Sequence, residues 1–187
     1  EQAFGKNHFE SLVSLNNLGS LYQSQGKYSE AEALLKRSLA IAEQALGKNH
    51  PDVAQNLTTL AFLYKEQGKY EQSEPLYLRS LEIREKTLGS DSASFAKGLN
   101  DLALLYYAQG KFSQAPPLLE KSLSILEQVL GHQHLSVAES LTNLAMLYDA
   151  QGRYTDAEAL LQKGLAINEQ ILGKEHPSVA TDLNNLA

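Results

Sequence analysis

The sequence has no cysteine, no tryptophan and a single methionine, and its 187 residues carry a formal charge of −6. Without cysteine there are no disulfides and no thiolate metal sites, which fits a reducing compartment. No apolar run approaches the roughly 20 residues needed to cross a bilayer. The first residues show no basic region followed by an apolar stretch and a cleavage site. An intracellular protein without membrane contact is therefore expected. The acidic balance, with both signs interspersed, speaks against a nucleic-acid ligand, because such proteins concentrate Lys and Arg on one face. A phosphate-cradling glycine loop, a nucleophile elbow and a zinc-protease helix motif are also missing. The carboxylates are scattered over positions that read as solvated helix surface. The expectation is a non-enzyme without cofactor.

What the sequence does have is repetition. Gly5, Gly47, Gly89, Gly131 and Gly173 follow one another at a constant spacing of 42 residues. In the same register run Gln25-Gly26, Gln67-Gly68, Gln109-Gly110 and Gln151-Gly152, and the aromatics Tyr22, Tyr64, Tyr106 and Tyr148. Self-similarity at a fixed period of a few tens of residues means stacked supersecondary units without one central pocket.

Residues 51–89 show what one unit holds. Val53, Leu57, Leu60, Ala61 and Tyr64 fall at helical intervals, with Leu63 at the edge of the stripe. Pro51 suits a first turn, and Gly68 supplies the left-handed residue that closes the helix. A second run through Leu76, Tyr77, Ser80, Leu81, Arg84 and Leu88 stops at Gly89. Ser29 with Glu32, and Thr155 with Glu158, have the spacing of a capping box at the start of this second helix. Two helices of about 17 residues, each roughly 25 Å long and joined by a tight glycine turn, make an antiparallel hairpin.

Four complete copies are expected at 9–46, 51–88, 93–130 and 135–172, within one array over 1–187. Residues 1–5 (EQAFG) match the end of a second helix, and 177–187 match the first half of a first helix. The chain thus reads as a segment of a longer array whose end faces expose surface meant for neighbours. In the third copy Pro116 and Pro117 stand at the start of the second helix, which predicts a delayed or bent start.

Leu57, Leu60, Ala61, Tyr64, Gly68, Tyr70, Ser73, Tyr77 and Ser80 carry the small-residue and aromatic pattern of tetratricopeptide repeats, and Leu141, Leu144, Ala145, Tyr148, Gly152, Tyr154, Ala157, Leu161 and Gly164 agree. The ordinary repeat of that family is about 34 residues long, with a proline near its end. Here the proline is missing and the second helix runs on into LGKNHPDVA, LGHQHLSVA and LGKEHPSVA. This longer form resembles the kinesin light chain subclass, as do Leu15–Leu18 and Leu183–Leu186 (LNNL). The resemblance implies an all-α fold, a right-handed superhelix of antiparallel helix pairs. It also implies that the first helices line a concave groove binding a protein or peptide segment.

The positions opposite the stripe on the first helix of the second copy are Gln55, Thr58, Thr59, Phe62, Lys65 and Glu66, and these are candidates for such a groove. One ladder is Ser20, Phe62, Leu104 and Met146, bulky and apolar on a face that should be polar. These residues either form an apolar floor for a partner's side chains or pack against the neighbouring first helix. A second ladder is Asn17, Thr59, Asp101, Asn143 and Asn185, beside Asn16, Thr58, Asn100, Thr142 and Asn184. Amides can bond an extended backbone of any sequence, or they can bridge adjacent helices. The resemblance implies a ligand-holding asparagine at Asn17, Asn143 and Asn185, a role from which Thr59 and Asp101 depart. Lys97, with Gln55 and Glu139, and Tyr107, with Lys65, Gln23 and Asp149, complete the set. Charges there are mixed, so an amphipathic segment with apolar anchors is expected rather than a strictly acidic peptide.

The histidines His8, His50, His134 and His176 form a ladder in the loops, with His132 as an extra. One repeat spacing, roughly 10 Å between packed helices, is too wide for a shared metal at about 2.1 Å per bond. Their expected role is turn and cap hydrogen bonding. Two functions remain in view: a peptide-binding module, or an architectural spacer that contacts partners or other copies of itself end to end.

Overall fold

The computed structural model describes the backbone of residues 2–186 and the side chains of residues 12–186. Glu1, Ala187 and the side chain of His8 lie outside the described residues. The chain forms α1 (Gln2–Ser24), α2 (Tyr28–Leu46), α3 (Pro51–Glu66), α4 (Tyr70–Leu88), α5 (Ala93–Ala108), α6 (Ala115–Leu130), α7 (Leu135–Ala150), α8 (Tyr154–Leu172) and α9 (Pro177–Leu186). There is no strand among the described residues. Two compact units divide the chain, Glu1–Gly89 and Ser90–Ala187. In the first, α2 packs on both α1 and α3, and α3 on α4; in the second, α6 packs on α5 and α7, and α8 on α7 and α9.

Helix α3 shows how each element is cut from the sequence. His50 caps it, its Nδ1 accepting the Asp52 N–H at 3.2 Å, and Pro51 occupies the first turn, where an N–H has no partner to lose. His134 and His176 cap α7 and α9 in the same way, through the N–H groups of Ser136 and Ser178. At the far end Gly68 turns left-handed (φ +70°). Its N–H bonds to the Lys65 carbonyl and the Lys69 N–H to the Tyr64 carbonyl, both at 2.9 Å. This is the paired closure that a glycine after the cap makes possible. It recurs where Lys27, Lys111 and Arg153 each donate to the carbonyl of Tyr22, Tyr106 and Tyr148 at 2.8 Å.

The apolar stripe is the core. Val53, Leu57 and Ala61 have no exposed surface. Leu63, expected at the edge, is just as buried, because α3 packs on both sides: Ala31, Leu35, Leu60, Leu63 and Tyr64 form one cluster. The small residues of the second helices mark close backbone approach. Ser80 and Ser122 donate to the carbonyls of Ala54 and Ala96 at 2.8 and 2.7 Å, and Ser73 to that of Ala61 at 2.7 Å. Where Gly164 replaces them, a Cβ would stand 3.3 Å from the Ala138 carbonyl oxygen.

Three features differ from the sequence expectation or refine it. The capping boxes do not form: α2 and α8 start at Tyr28 and Tyr154, and their caps Lys27 and Arg153 make no side-chain cap bond. The glycine closure leads the chain straight into the next helix, so Ser29 and Thr155 lie already inside the first turn. Helix α6 starts at Ala115, three positions later in the register than Tyr28, Tyr70 and Tyr154, as the proline pair requires. Helix α1 runs unbroken through Gly5, where the register places a helix end.

Candidate functional site

In the first unit Asn17, Gln55 and Phe62 are exposed and Lys65 is half-buried. Phe62 stands out: 42% of its surface is exposed between Ala61 and Leu63, which are wholly buried. The Lys65 ammonium lies 4.6 Å from its ring centroid, within cation–π range. Gln55 accepts a long bond from Arg84 at 3.4 Å. Thr58, expected on the free face, is instead buried, in hydrogen-bond contact with the Ser80 hydroxyl at 2.9 Å and accepting from Arg84 at 3.2 Å. The second helix of the hairpin carries a buried arginine at that place, and the threonine is one of its ligands.

In the second unit Lys97 and Asn185 are exposed, Leu104, Tyr107, Asn143 and Met146 are half-buried, and Asn100 is buried. The Asn143 side-chain amide donates to Oδ1 of Asn100 at 2.9 Å, which ties α7 to α5. Tyr107 packs edge-on against Phe112, with centroids 5.6 Å apart. Asn143, Met146 and Asn185 come together on one cleft of about 530 Å³ between α7, α8 and α9, beside Asp149, Tyr154 and Leu161. Asn143 and Asn185 also border a second cleft of about 330 Å³, formed by α7, α9 and the last turns of α8.

The sequence reading missed a ladder of cations. Lys27, Lys69, Lys111 and Arg153 follow the turn glycines, and each lies over the tyrosine that ends the preceding helix, at 5.4, 5.7, 5.0 and 3.7 Å from the ring centroid. The signal was present, since a basic residue recurs at every 42nd position. Two of these tyrosines also reach the preceding hairpin. Tyr64 donates to Glu32 at 3.0 Å, and Tyr148 to Glu120 at 2.7 Å. The Lys36 hydrogen bond holds the Glu32 carboxyl below its usual range, while burial pushes both tyrosine hydroxyls upward. Among the described residues no three His, Cys, Asp or Glu side chains converge to hold a metal. No helix among them is long and apolar enough to cross a membrane.

A family model described as tetratricopeptide repeat matches residues 1–44, 10–86, 52–128 and 94–170. The nearly identical TPR-like repeats of a candidate kinesin light chain from Podosopora anserina are 32% identical, with a TM-score of 0.78 over 94% of this chain and 82% of that one. BtubC (BKLC) from P. vanneervenii shares the fold at 24% identity, with a TM-score of 0.79 over 97% of this chain and 80% of that one. A third similar fold, pilF of Pseudomonas aeruginosa, is 19% identical, with a TM-score of 0.68 over 96% and 69%. Comparison with curated proteins gives no match.

Proposed function

The chain belongs to the tetratricopeptide repeat family, whose repeats are general protein-interaction modules, and from that premise we propose that it binds an amphipathic peptide or helical segment on the faces of its first helices, α1, α3, α5, α7 and α9. The observation that carries this reading is Phe62, a large aromatic left exposed on a helix whose remaining apolar residues are buried. Exposed apolar surface set among polar groups is where partners dock, and aromatic side chains are over-represented among the residues that dominate binding energy. The other candidate positions are of mixed type: Gln55 and Asn17 are neutral, Lys65 and Lys97 basic, Glu139 and Asp149 acidic. Stability rests on the stripe together with the buried Thr58 and Asn100, and the exposed positions of the opposite face are left for binding.

A peptide-array screen with the Phe62→Ser variant as control tests this. Amphipathic peptides captured by the wild type and released by the variant support it; capture indifferent to Phe62 sinks it. A second reading, self-association, is favoured by Leu21. It is 51% exposed on α1, whereas its counterparts Leu63, Leu105 and Leu147 are wholly buried. Sedimentation velocity across a concentration series decides it: assembly that Leu21→Glu abolishes favours this reading, and a monomer at every concentration rejects it.

A further inference from the structure

The smaller cleft of the second unit, about 330 Å³, lies between α7, α9 and the C-terminal part of α8. We propose that it receives an arginine side chain of the bound partner, with Asp182 and Glu139 as its counter-charges. This deepens the groove reading above, on which it rests, by naming one side chain of the ligand.

Asp182 is 6% exposed, yet lines the cleft. Its Oδ2 accepts one hydrogen bond, from the neutral Asn168 amide at 2.7 Å. Among the described residues its Oδ1 has no hydrogen bond and the carboxylate no ion pair. A buried charge without a partner is costly, and the fold does not need one here. The register places Asn56 and Ser140 at the same position of α3 and α7, both buried and both neutral. At the α2–α3 contact Asn56 accepts its bond from a different position, again a neutral group, Ser38 at 2.9 Å.

Much of the rest of the lining offers acceptors. The hydroxyls of Thr142 and Thr181 give their protons to the carbonyls of Ala138 and Pro177, so toward the cleft they present lone pairs. One amide proton each of Asn143 and Asn168 is engaged, with Asn100 and Asp182. Glu139 is exposed at the rim, and no Lys or Arg lines the cleft. Several acceptors and two carboxylates without a cation match a planar group of five donors and one positive charge, which a guanidinium supplies more fully than an ammonium. Leu135 and Leu172 offer apolar surface for its methylene arm.

The test is NMR titration of the whole chain with N-acetyl-arginine amide at low salt, read at the side-chain amides of Asn168 and Asn185, with N-acetyl-citrulline amide as the neutral isostere. The arginine probe is expected to shift both amides saturably and the citrulline probe to leave them unmoved. Asp182→Asn, which installs the residue that α3 already carries, is expected to weaken the response by about tenfold or more at an unchanged melting temperature. Should that variant lose stability, Glu139→Gln, an exposed change, is expected to weaken binding severalfold and serves in its place. No shift with arginine, an equal shift with citrulline, or unaltered affinity in the variants overturns the proposal. Peptide capture through Phe62 with no arginine response sinks the subsite alone; an arginine response without any peptide capture sinks the groove reading and leaves the subsite standing.

Discussion

At the scale of single residues, the tyrosines that end the first helices do several jobs at once. Tyr64 closes α3 with its carbonyl, lies beneath Lys69 and hydrogen-bonds Glu32 of the preceding hairpin. Lys36 is 2.7 Å from the same carboxylate and Lys69 is 3.6 Å away. The folded-state pKa of Glu32 is thereby lowered. A group with a depressed folded pKa contributes stability above its unfolded value, about 4.3 for Glu, and loses it as pH falls through the folded value. Glu32→Gln should therefore cost no more than about 1 kcal/mol near neutrality, since the pair is partly solvated. Against pH, the melting temperature of the wild type should fall more steeply than that of the variant below about pH 5. Parallel curves would mean that Glu32 titrates alike in the folded and unfolded chain.

At the scale of elements, the proline positions show how register and structure part company. Pro75 and Pro117 stand 42 residues apart, at one position of the repeat. In α4 Pro75 is the sixth residue, where its missing N–H leaves the Glu71 carbonyl without its helix bond. In α6, which begins three residues late, Pro117 falls in the first turn, where no such bond exists. Pro75→Ala should raise stability by about 1–3 kcal/mol in a denaturant melt, while Pro117→Ala should change it little. Equal effects would contradict the late start of α6. The helix pairs, the glycine closures and the histidine caps were legible because each rests on local chemistry repeated at a fixed step. The burial of Thr58 and Asn100 was not. Both depend on which residue a neighbouring helix offers, Arg84 and Ser80 in one case and Asn143 in the other, and a helical wheel holds no information about that neighbour. The capping boxes failed for a related reason, since spacing alone could not show that the turn glycine places the helix start two residues earlier. Of the candidate surface, the sequence showed the apolar ladder at Phe62 but not the uncompensated carboxylate of Asp182, whose burial comes from three helices meeting.

At the scale of the whole molecule, a repeat array divides its residues between those that stack and those that face outward. Stability is carried by nearest-neighbour contacts, such as the Leu12, Ala42, Val53, Leu57 and Ile83 cluster. Leu57→Ala should cost about 2–5 kcal/mol, since nothing can close over the vacated space. On the opposite face Thr58 and Asn100 share in the packing, whereas Phe62 is left exposed. The most direct test is to measure, for one captured peptide, both affinity and melting temperature in wild type, Phe62→Ser and Leu57→Ala. Binding on the first-helix face predicts that Phe62→Ser weakens the peptide by about tenfold or more. Its melting temperature should stay within about 2 °C of wild type, while Leu57→Ala melts far lower. A Phe62→Ser protein that binds as tightly as wild type, or that melts as low as Leu57→Ala, would place Phe62 among the stacking residues and contradict the division between core and binding face.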